Sequence, residues 1–129
     1  MFLLYYKQGC PYSESAETYF IYEKFEYIKI IVESTDFNLK NQFANINHRT
    51  FPVIFYLLDN YNDNYKSIIP TNGFIGGYSD MIKIQIFSKK LLGLNKQEMK
   101  NKIKEFIQDK NILYRDILKV IIFFLKNNK

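Results

Sequence analysis

The first stretch of this chain is apolar at every position, and this feature restricts the fold more than any other. Residues Phe2–Tyr6 have the sequence Phe-Leu-Leu-Tyr-Tyr and are followed by the loop residues Lys-Gln-Gly. A strand without hydrophobic–polar alternation is typical of a sheet that is covered on both faces. Residues 13–25 then show helical spacing, and the β-branched run Tyr27–Val32 predicts a second strand. We therefore expect an opening β-α-β unit with parallel strands.

The rest of the chain predicts further strands and helices in a regular order. The predicted elements are a helix capped at 34–36, a strand at 52–57, a turn at 59–64, a returning strand at Tyr65–Ile69 that continues through 74–75, and helices at 79–93, 95–108 and 112–126. The proline that opens the third strand cannot donate to a sheet ladder, which confines it to a strand start. The order β-α-β-α-β-β-α followed by helices predicts an α/β fold whose late strands form a hairpin.

Size and composition predict one cytoplasmic domain over residues 1–129. Its core is expected over about residues 1–93, with a helical extension over 94–129. One cysteine in 129 residues suits a reducing compartment, and 47% hydrophobic residues suit a packed core. We find no signal-peptide pattern, and the longest apolar run, Val120–Leu125, is too short to cross a bilayer, so no membrane association is expected. The net charge of +5 comes without a basic stripe. We therefore expect the partner to be a small anionic ligand or an acidic protein surface and not nucleic acid. The protein itself is expected to be a monomer.

The single cysteine, Cys10, stands where the first strand gives way to the first helix. In the segment Cys10-Pro11-Tyr12-Ser13, the free N–H groups and the positive dipole end of the helix would stabilise a thiolate, the reactive form of cysteine. A lone cysteine is by default a small buried hydrophobe, but the adjoining Pro-Tyr and the helix start favour a reactive thiol. Without a second cysteine, a redox cycle must use a thiol of another molecule.

Three segments can meet at one edge of the predicted sheet: Lys7–Ser13, Arg49–Pro52 and Gly76–Asp80. In the first, the lysine can stabilise the thiolate or bind a carboxylate. The second predicts a cis-proline turn, which would leave the backbone N–H and C=O of Phe51 free for a ligand. The third combines two glycines, which permit close approach, with helix-start N–H groups and a carboxylate. Together they predict a slot for a zwitterionic peptide.

The motifs in these segments resemble those of the glutaredoxins, the glutathione-dependent members of the thioredoxin-fold superfamily. The resemblance covers about residues 1–93. It rests on Lys-x-x-Cys-Pro-Tyr-x at Lys7–Ser13, Thr-x-Pro at Thr50–Pro52 and Gly-Gly-x-Ser-Asp at Gly76–Asp80. Short motifs are weak one by one, but three in the right order are specific. The resemblance implies a thioredoxin-like fold, with a four-stranded mixed sheet flanked by helices and, here, extra C-terminal helices.

The resemblance also implies an activity, that of a glutathione-dependent thiol–disulfide oxidoreductase. Cys10 would be the catalytic thiolate, within the active-site motif Pro11, Tyr12 and Ser13. Glutathione would be a co-substrate, no prosthetic group would be needed, and glutathionylated or disulfide-bonded proteins would be the substrates. The implied glutathione-binding residues are Lys7, Tyr12, Lys40, Arg49, Thr50, Phe51, Pro52, Gly77, Ser79 and Asp80. Among these, the three cationic residues would bind the glycine carboxylate, and the last three residues would hold the γ-glutamyl head, with Asp80 pairing with its ammonium.

The chain departs from the glutaredoxin pattern in three places. Ser13 replaces the second cysteine of the dithiol form, so turnover would be monothiol: a glutathione adduct on Cys10 would be resolved by free glutathione. Residues 58–73 look inserted, and residues 95–129 lie beyond the comparable part. The apolar stripes of this tail are expected to pack against the sheet or the third helix.

Two other functions stay open at this stage. Two chains could each supply Cys10 and, with two glutathione thiols, ligate a [2Fe–2S] cluster, although the typical carriers have Cys-Gly-Phe-Ser. Alternatively, the insertion and the tail could bind a partner while the thiol matters little. A single histidine and a single cysteine argue against a mononuclear zinc site. We do not expect His48 to be a base, because electrostatics alone can supply the thiolate. Lys40 could equally be a solvated surface charge.

Overall fold

A four-stranded mixed sheet with helices packed against both faces forms the centre of the protein, and the computed structural model describes residues 1–110 and 112–127. The strands are β1 (Phe2–Tyr6), β2 (Tyr27–Ile31), β3 (Val53–Tyr56) and β4 (Phe74–Gly76). The helices are α1 (Pro11–Glu23), α2 (Phe37–Asn45), α3 (Tyr78–Lys90), α4 (Lys96–Phe106) and α5 (Tyr114–Asn127), with a short 3₁₀ helix at Asp63–Lys66. The predicted α/β class and element order are confirmed.

The strands lie in the order β2-β1-β3-β4, which makes β1 and β3 the central strands and β4 an edge. β1 pairs with β2 in parallel, and β3 runs antiparallel to both β1 and β4. The predicted parallel β-α-β unit and the antiparallel late pair are therefore both confirmed. In this arrangement, the C-terminal end of β1, the start of β3 and the end of β4 lie side by side at one end of the sheet.

The side chains of β1 alternate between two hydrophobic clusters, which explains why the whole strand is apolar. Phe2 and Leu4 belong to the cluster that contains residues of α1, α3 and α5. Leu3 and Tyr5 belong to the opposite cluster, with residues of α2 and of the segment after β3. All four side chains are fully buried. A polar residue at any of these positions would face one of the two clusters.

The predicted returning strand at Tyr65–Ile69 is wrong. Residues Asp63–Lys66 form the 3₁₀ helix, whose start is capped by the side chain of Asn62, an acceptor for the N–H of Asn64 at 2.9 Å. The N–H of Ile69 donates to the side-chain oxygen of Gln42 at 2.9 Å and not to a strand. Local side-chain hydrogen bonds thus replace the ladder that the β-branched residues predicted.

The C-terminal helices pack against the rest of the core, as predicted. Four residues of α5 are buried in the cluster around Phe2: Ile117, Val120, Ile121 and Phe124. From α4, Ile103 joins the same cluster and Phe106 stacks on Phe87 of α3 with ring centroids 4.1 Å apart. Leu113, expected on the apolar stripe, is exposed. The hydrophobic core therefore extends well beyond residue 93.

Most element boundaries lie within a few residues of the predicted ones. α1 begins at Pro11 and not Ser13, because proline suits the first helical position and Cys10 occupies the N-cap. It ends at Glu23 because Lys24 adopts a left-handed conformation with φ 60°. None of the helices in residues 1–110 and 112–127 is long and apolar enough to cross a membrane.

Candidate functional site

Cys10 occupies the N-cap of α1, directly after the turn that follows β1. The turn is closed by a hydrogen bond from the N–H of Cys10 to the carbonyl of Lys7 at 3.2 Å. The thiol is only partly buried. It therefore lies beside the free N–H groups of the first helical turn, where a negative charge is stabilised.

Ser13 is a fully buried part of this turn. Its hydroxyl oxygen accepts the N–H of Lys7 at 3.2 Å, and its side chain and its backbone N–H both interact with the sulfur of Cys10. Ser13 thus joins the two ends of the turn that presents the thiol.

The ionisation of Cys10 reflects these contacts. Burial raises the pKa of the Cys10 thiol, but hydrogen bonds from the backbone and side chain of Ser13 lower it. The backbone N–H of Tyr12 and the positive charge of Lys7 lower this pKa further. The net result is a pKa of Cys10 below its ordinary value, as expected for a nucleophilic cysteine.

The turn before β3 lies against the thiol. The Phe51–Pro52 peptide bond is cis, as the sequence predicted. The sulfur of Cys10 lies 3.8 Å from the carbonyl oxygen of Phe51, a contact between residues 41 positions apart. The N–H of Phe51 has no hydrogen-bond partner within the described part of the chain. A donor and an acceptor of one residue are thus available beside the thiol for an extended ligand backbone.

The turn between β4 and α3 forms the third side of the site. The carboxylate of Asp80, in the first turn of α3, accepts a hydrogen bond from the backbone N–H of the N-cap residue Gly77 at 2.8 Å. Gly76 has φ +127°, and a Cβ on it would collide with the Asp80 carboxylate. A side chain is therefore excluded at residue 76 by both conformation and space. Gly77 is buried, whereas Ser79 is exposed at the helix start.

His48 also lies at this site, although sequence reasoning did not select it. Its Nε2 lies 3.2 Å from the carbonyl of Pro52 and 3.5 Å from the hydroxyl of Thr50. Its ring packs edge-on against Phe74 at 5.5 Å, and a Cβ on Gly77 would lie 3.6 Å from its Cε1. His48 therefore connects the turn before β3 with the turn after β4. Its proximity in sequence to Pro52 was the only available signal.

The remaining predicted residues differ in their exposure and in the contacts that their side chains make. Lys7 and Arg49 are exposed and form no ion pair within residues 1–110 and 112–127. Tyr12 is exposed to 66% beside the thiol. Lys40, in contrast, donates to the carbonyl of Ser34 at 2.6 Å, with its ammonium 5.6 Å from the ring of Phe37. Its ammonium is thus already held by groups outside the candidate site.

A metal centre has little support from the geometry of one chain. Within residues 1–110 and 112–127, no group of three or more His, Cys, Asp or Glu side chains is close enough to hold a metal ion.

No family model, curated protein or solved structure matches the chain.

Proposed function

We propose that the protein is a monothiol, glutathione-dependent thiol–disulfide oxidoreductase of the glutaredoxin type. One observation carries the proposal: a partly exposed thiol of lowered pKa at the start of α1, 3.8 Å from the Phe51 carbonyl that precedes a cis proline. A thiolate next to the backbone of Phe51, whose N–H has no partner among the described residues, can take a peptide-like disulfide and attack it.

The architecture supports a thioredoxin-like classification. A four-stranded mixed sheet with helices on both faces agrees with the fold that the motif resemblance implies. The three motif segments meet as that fold requires, since Cys10 contacts Phe51 and Gly77 lies next to the carbonyl of Pro52. The C-terminal helices would be additions to this fold.

The reaction would proceed in two thiol–disulfide exchanges. The Cys10 thiolate attacks the glutathione sulfur of a mixed disulfide, so that a Cys10–glutathione disulfide forms and the protein or small-molecule thiolate leaves and takes up a proton. A glutathione thiolate then attacks the glutathione sulfur of this adduct and restores the Cys10 thiolate. One mixed disulfide and one glutathione thus give one free thiol and one glutathione disulfide. No second cysteine is needed, which agrees with Ser13.

Glutathione would lie across the three turns. Its glycine carboxylate would be bound by the exposed charges of Lys7 and Arg49, and its cysteinyl backbone would pair with Phe51. Its γ-glutamyl head would lie at the start of α3, against Gly77, Ser79 and Asp80, where free N–H groups favour a carboxylate. Lys40 would contribute only if its ammonium left the Ser34 carbonyl.

The test is steady-state reduction of a glutathionylated small thiol by glutathione, followed through glutathione reductase and NADPH. We expect turnover with the natural chain and none above background with Cys10→Ser. A Ser15→Ala variant, changed at an exposed serine of the same helix, should keep full activity. Activity retained by Cys10→Ser, or no activity in the folded and reduced natural chain, would contradict the proposal.

A further inference from the structure

A cavity opens beside the edge strand β4, next to the start of α3. It has a volume of about 230 Å³, and we call it the edge cavity. Its polar lining comes from Asn47, His48, Gly76, Asp80, Asp109 and Lys110. At about 30 Å³ per water molecule, this volume is large enough for an α-amino-acid head group.

The edge cavity joins the candidate site to the C-terminal extension. One side is formed by Gly76 and Asp80 of the β4–α3 turn and by His48. The other side is formed by Asp109 and Lys110, which follow α4. The extension therefore contributes charged groups to the same space as the carboxylate of Asp80, which the proposed function assigns to the γ-glutamyl head.

The edge cavity is lined by two carboxylates, those of Asp80 and Asp109, and by the ammonium of Lys110. The carboxylate of Asp80 accepts the N–H of Gly77 and forms no ion pair with any described residue. The ammonium of Lys110 lies 3.4 Å from Asp109, whose side chain is 86% exposed, so water screens this pair. The cavity thus presents to a ligand the carboxylate of Asp80, which has no ion-pair partner among the described residues, and the ammonium of Lys110 in a water-screened pair with Asp109.

Lys110 is held in position although its charge is only weakly paired. Its ammonium donates to the carbonyl of Phe106 at 3.2 Å and lies 4.4 Å from the centre of that ring. Its side chain is 28% exposed. These contacts restrict the side chain before a ligand arrives, which reduces the entropy lost on binding.

We propose that Lys110, which the C-terminal extension brings into the edge cavity, recognises the α-carboxylate of the γ-glutamyl group and so adds to the selectivity of this site. The proposal rests on the proposed function, because it concerns how that same site selects its thiol. Asp80 would take the α-ammonium, while the first N–H groups of α3 and Lys110 would share the carboxylate. The C-terminal extension would then make the enzyme selective for γ-glutamyl thiols over thiols that lack this group.

The experiment compares two mixed disulfides of the same small thiol, one with glutathione and one with cysteinylglycine, which lacks the γ-glutamyl group. The variants are Lys110→Met, which keeps an unbranched apolar stem on Phe106, and Lys110→Arg, which keeps the charge. Lys104→Met, an exposed lysine of α4, is the control for the change in net charge. The titration of S-methylglutathione into each protein, followed by amide NMR shifts, measures binding without chemistry.

We expect Lys110→Met to raise the KM for the glutathione disulfide by about fivefold, the loss of one partly screened charge contact, with kcat unchanged. Cysteinylglycine disulfide should be used equally by all variants, and Lys110→Arg should restore the natural KM. The same loss should appear in S-methylglutathione binding. An equal effect of Lys110→Met on both disulfides, or none beyond that of Lys104→Met, would overturn the inference.

Failure of the proposed function would look different. If the natural chain binds S-methylglutathione with shifts at Gly77 and Lys110 but does not turn over, the inference stands and the catalytic proposal fails. If the natural chain turns over both disulfides with the same kcat/KM, the catalytic proposal stands and the inference is overturned. Failure to bind S-methylglutathione would overturn the inference whatever the turnover.

Discussion

The backbone N–H of Lys7 donates to the buried hydroxyl of Ser13 at 3.2 Å, across the turn that presents the only cysteine. Ser13 stands where dithiol glutaredoxins would have their second cysteine. Its hydroxyl also interacts with the sulfur of Cys10 and lowers the pKa of that thiol. The serine thus supports the thiolate electrostatically and holds the turn together.

Ser13→Ala should make Cys10 less reactive near neutral pH. Loss of the hydroxyl raises the pKa of Cys10, so the thiolate forms at higher pH and its fraction at pH 7 falls. We expect the iodoacetamide alkylation rate at pH 7 to decrease about two- to fivefold, the effect of one hydrogen bond. The full pH profile of alkylation should move to higher pH. Ser15→Ala, at an exposed position of the same helix, should leave the profile in place, and an unmoved profile in Ser13→Ala would contradict this role.

Gly76→Ala should destabilise the protein more than Gly93→Ala. Both glycines have positive φ, +127° and +85°, so either alanine incurs a conformational cost of about 1 kcal/mol. A Cβ on Gly76 also collides with Asp80, whereas one on Gly93 meets nothing within 4 Å. We expect the loss in unfolding free energy for Gly76→Ala to be about 3 kcal/mol. Urea denaturation of both variants measures the difference, and equal losses would show that the turn can relax around the methyl group.

Ile121→Ala should reduce stability strongly although residue 121 lies in the C-terminal extension. Ile121 is fully buried in the cluster around Phe2, whereas the adjacent Ile122 is 41% exposed. We expect a loss in unfolding free energy of about 2–5 kcal/mol for Ile121→Ala and below about 1 kcal/mol for Ile122→Ala. Thermal and urea unfolding provide the comparison. Similar small losses in both variants would indicate that α5 is a detachable addition.

The parts of the fold that could be predicted from sequence are those fixed by local patterns. The apolar run of β1 predicted a central strand because burial on both faces removes alternation. The position of Cys10 at a helix start and the cis bond before Pro52 followed from short motifs, and both are present. Each of these features depends on residues that are close in sequence.

The parts that could not be predicted depend on contacts across the fold. His48 acquires its position only when β4 and the turn before β3 come together, which places Gly77 beside it. Lys110 meets the candidate site through the packing of the C-terminal helices. The residues around Tyr65 look like a strand because of their composition, but hydrogen bonds to the side chains of Asn62 and Gln42 hold the segment in another conformation. Tertiary contacts thus override the local preference there.

The segment between β3 and β4 is held by two side chains of α2, Asn38 and Gln42. Asn38 donates to the carbonyl of Ser67 at 3.0 Å. Gln42 donates to the carbonyl of Ser67 at 2.7 Å and accepts the N–H of Ile69 at 2.9 Å. Tyr5 adds one further hydrogen bond from the sheet, to the carbonyl of Tyr65 at 2.6 Å.

Gln42→Ala should loosen this segment without affecting the thiol. Loss of both hydrogen bonds removes about 1–3 kcal/mol of local stability, so the segment opens more often. Amide hydrogen exchange at Ile69 and proteolytic cleavage within residues 58–73 should both become faster. Cys10 alkylation should be unchanged, since Gln42 contacts none of the turns around it. Asn41→Ala, at the exposed neighbouring position, should leave exchange and cleavage as they are. Unchanged protection of Ile69 in Gln42→Ala would mean that Asn38, Tyr5 and the hydrophobic contacts hold the segment without Gln42.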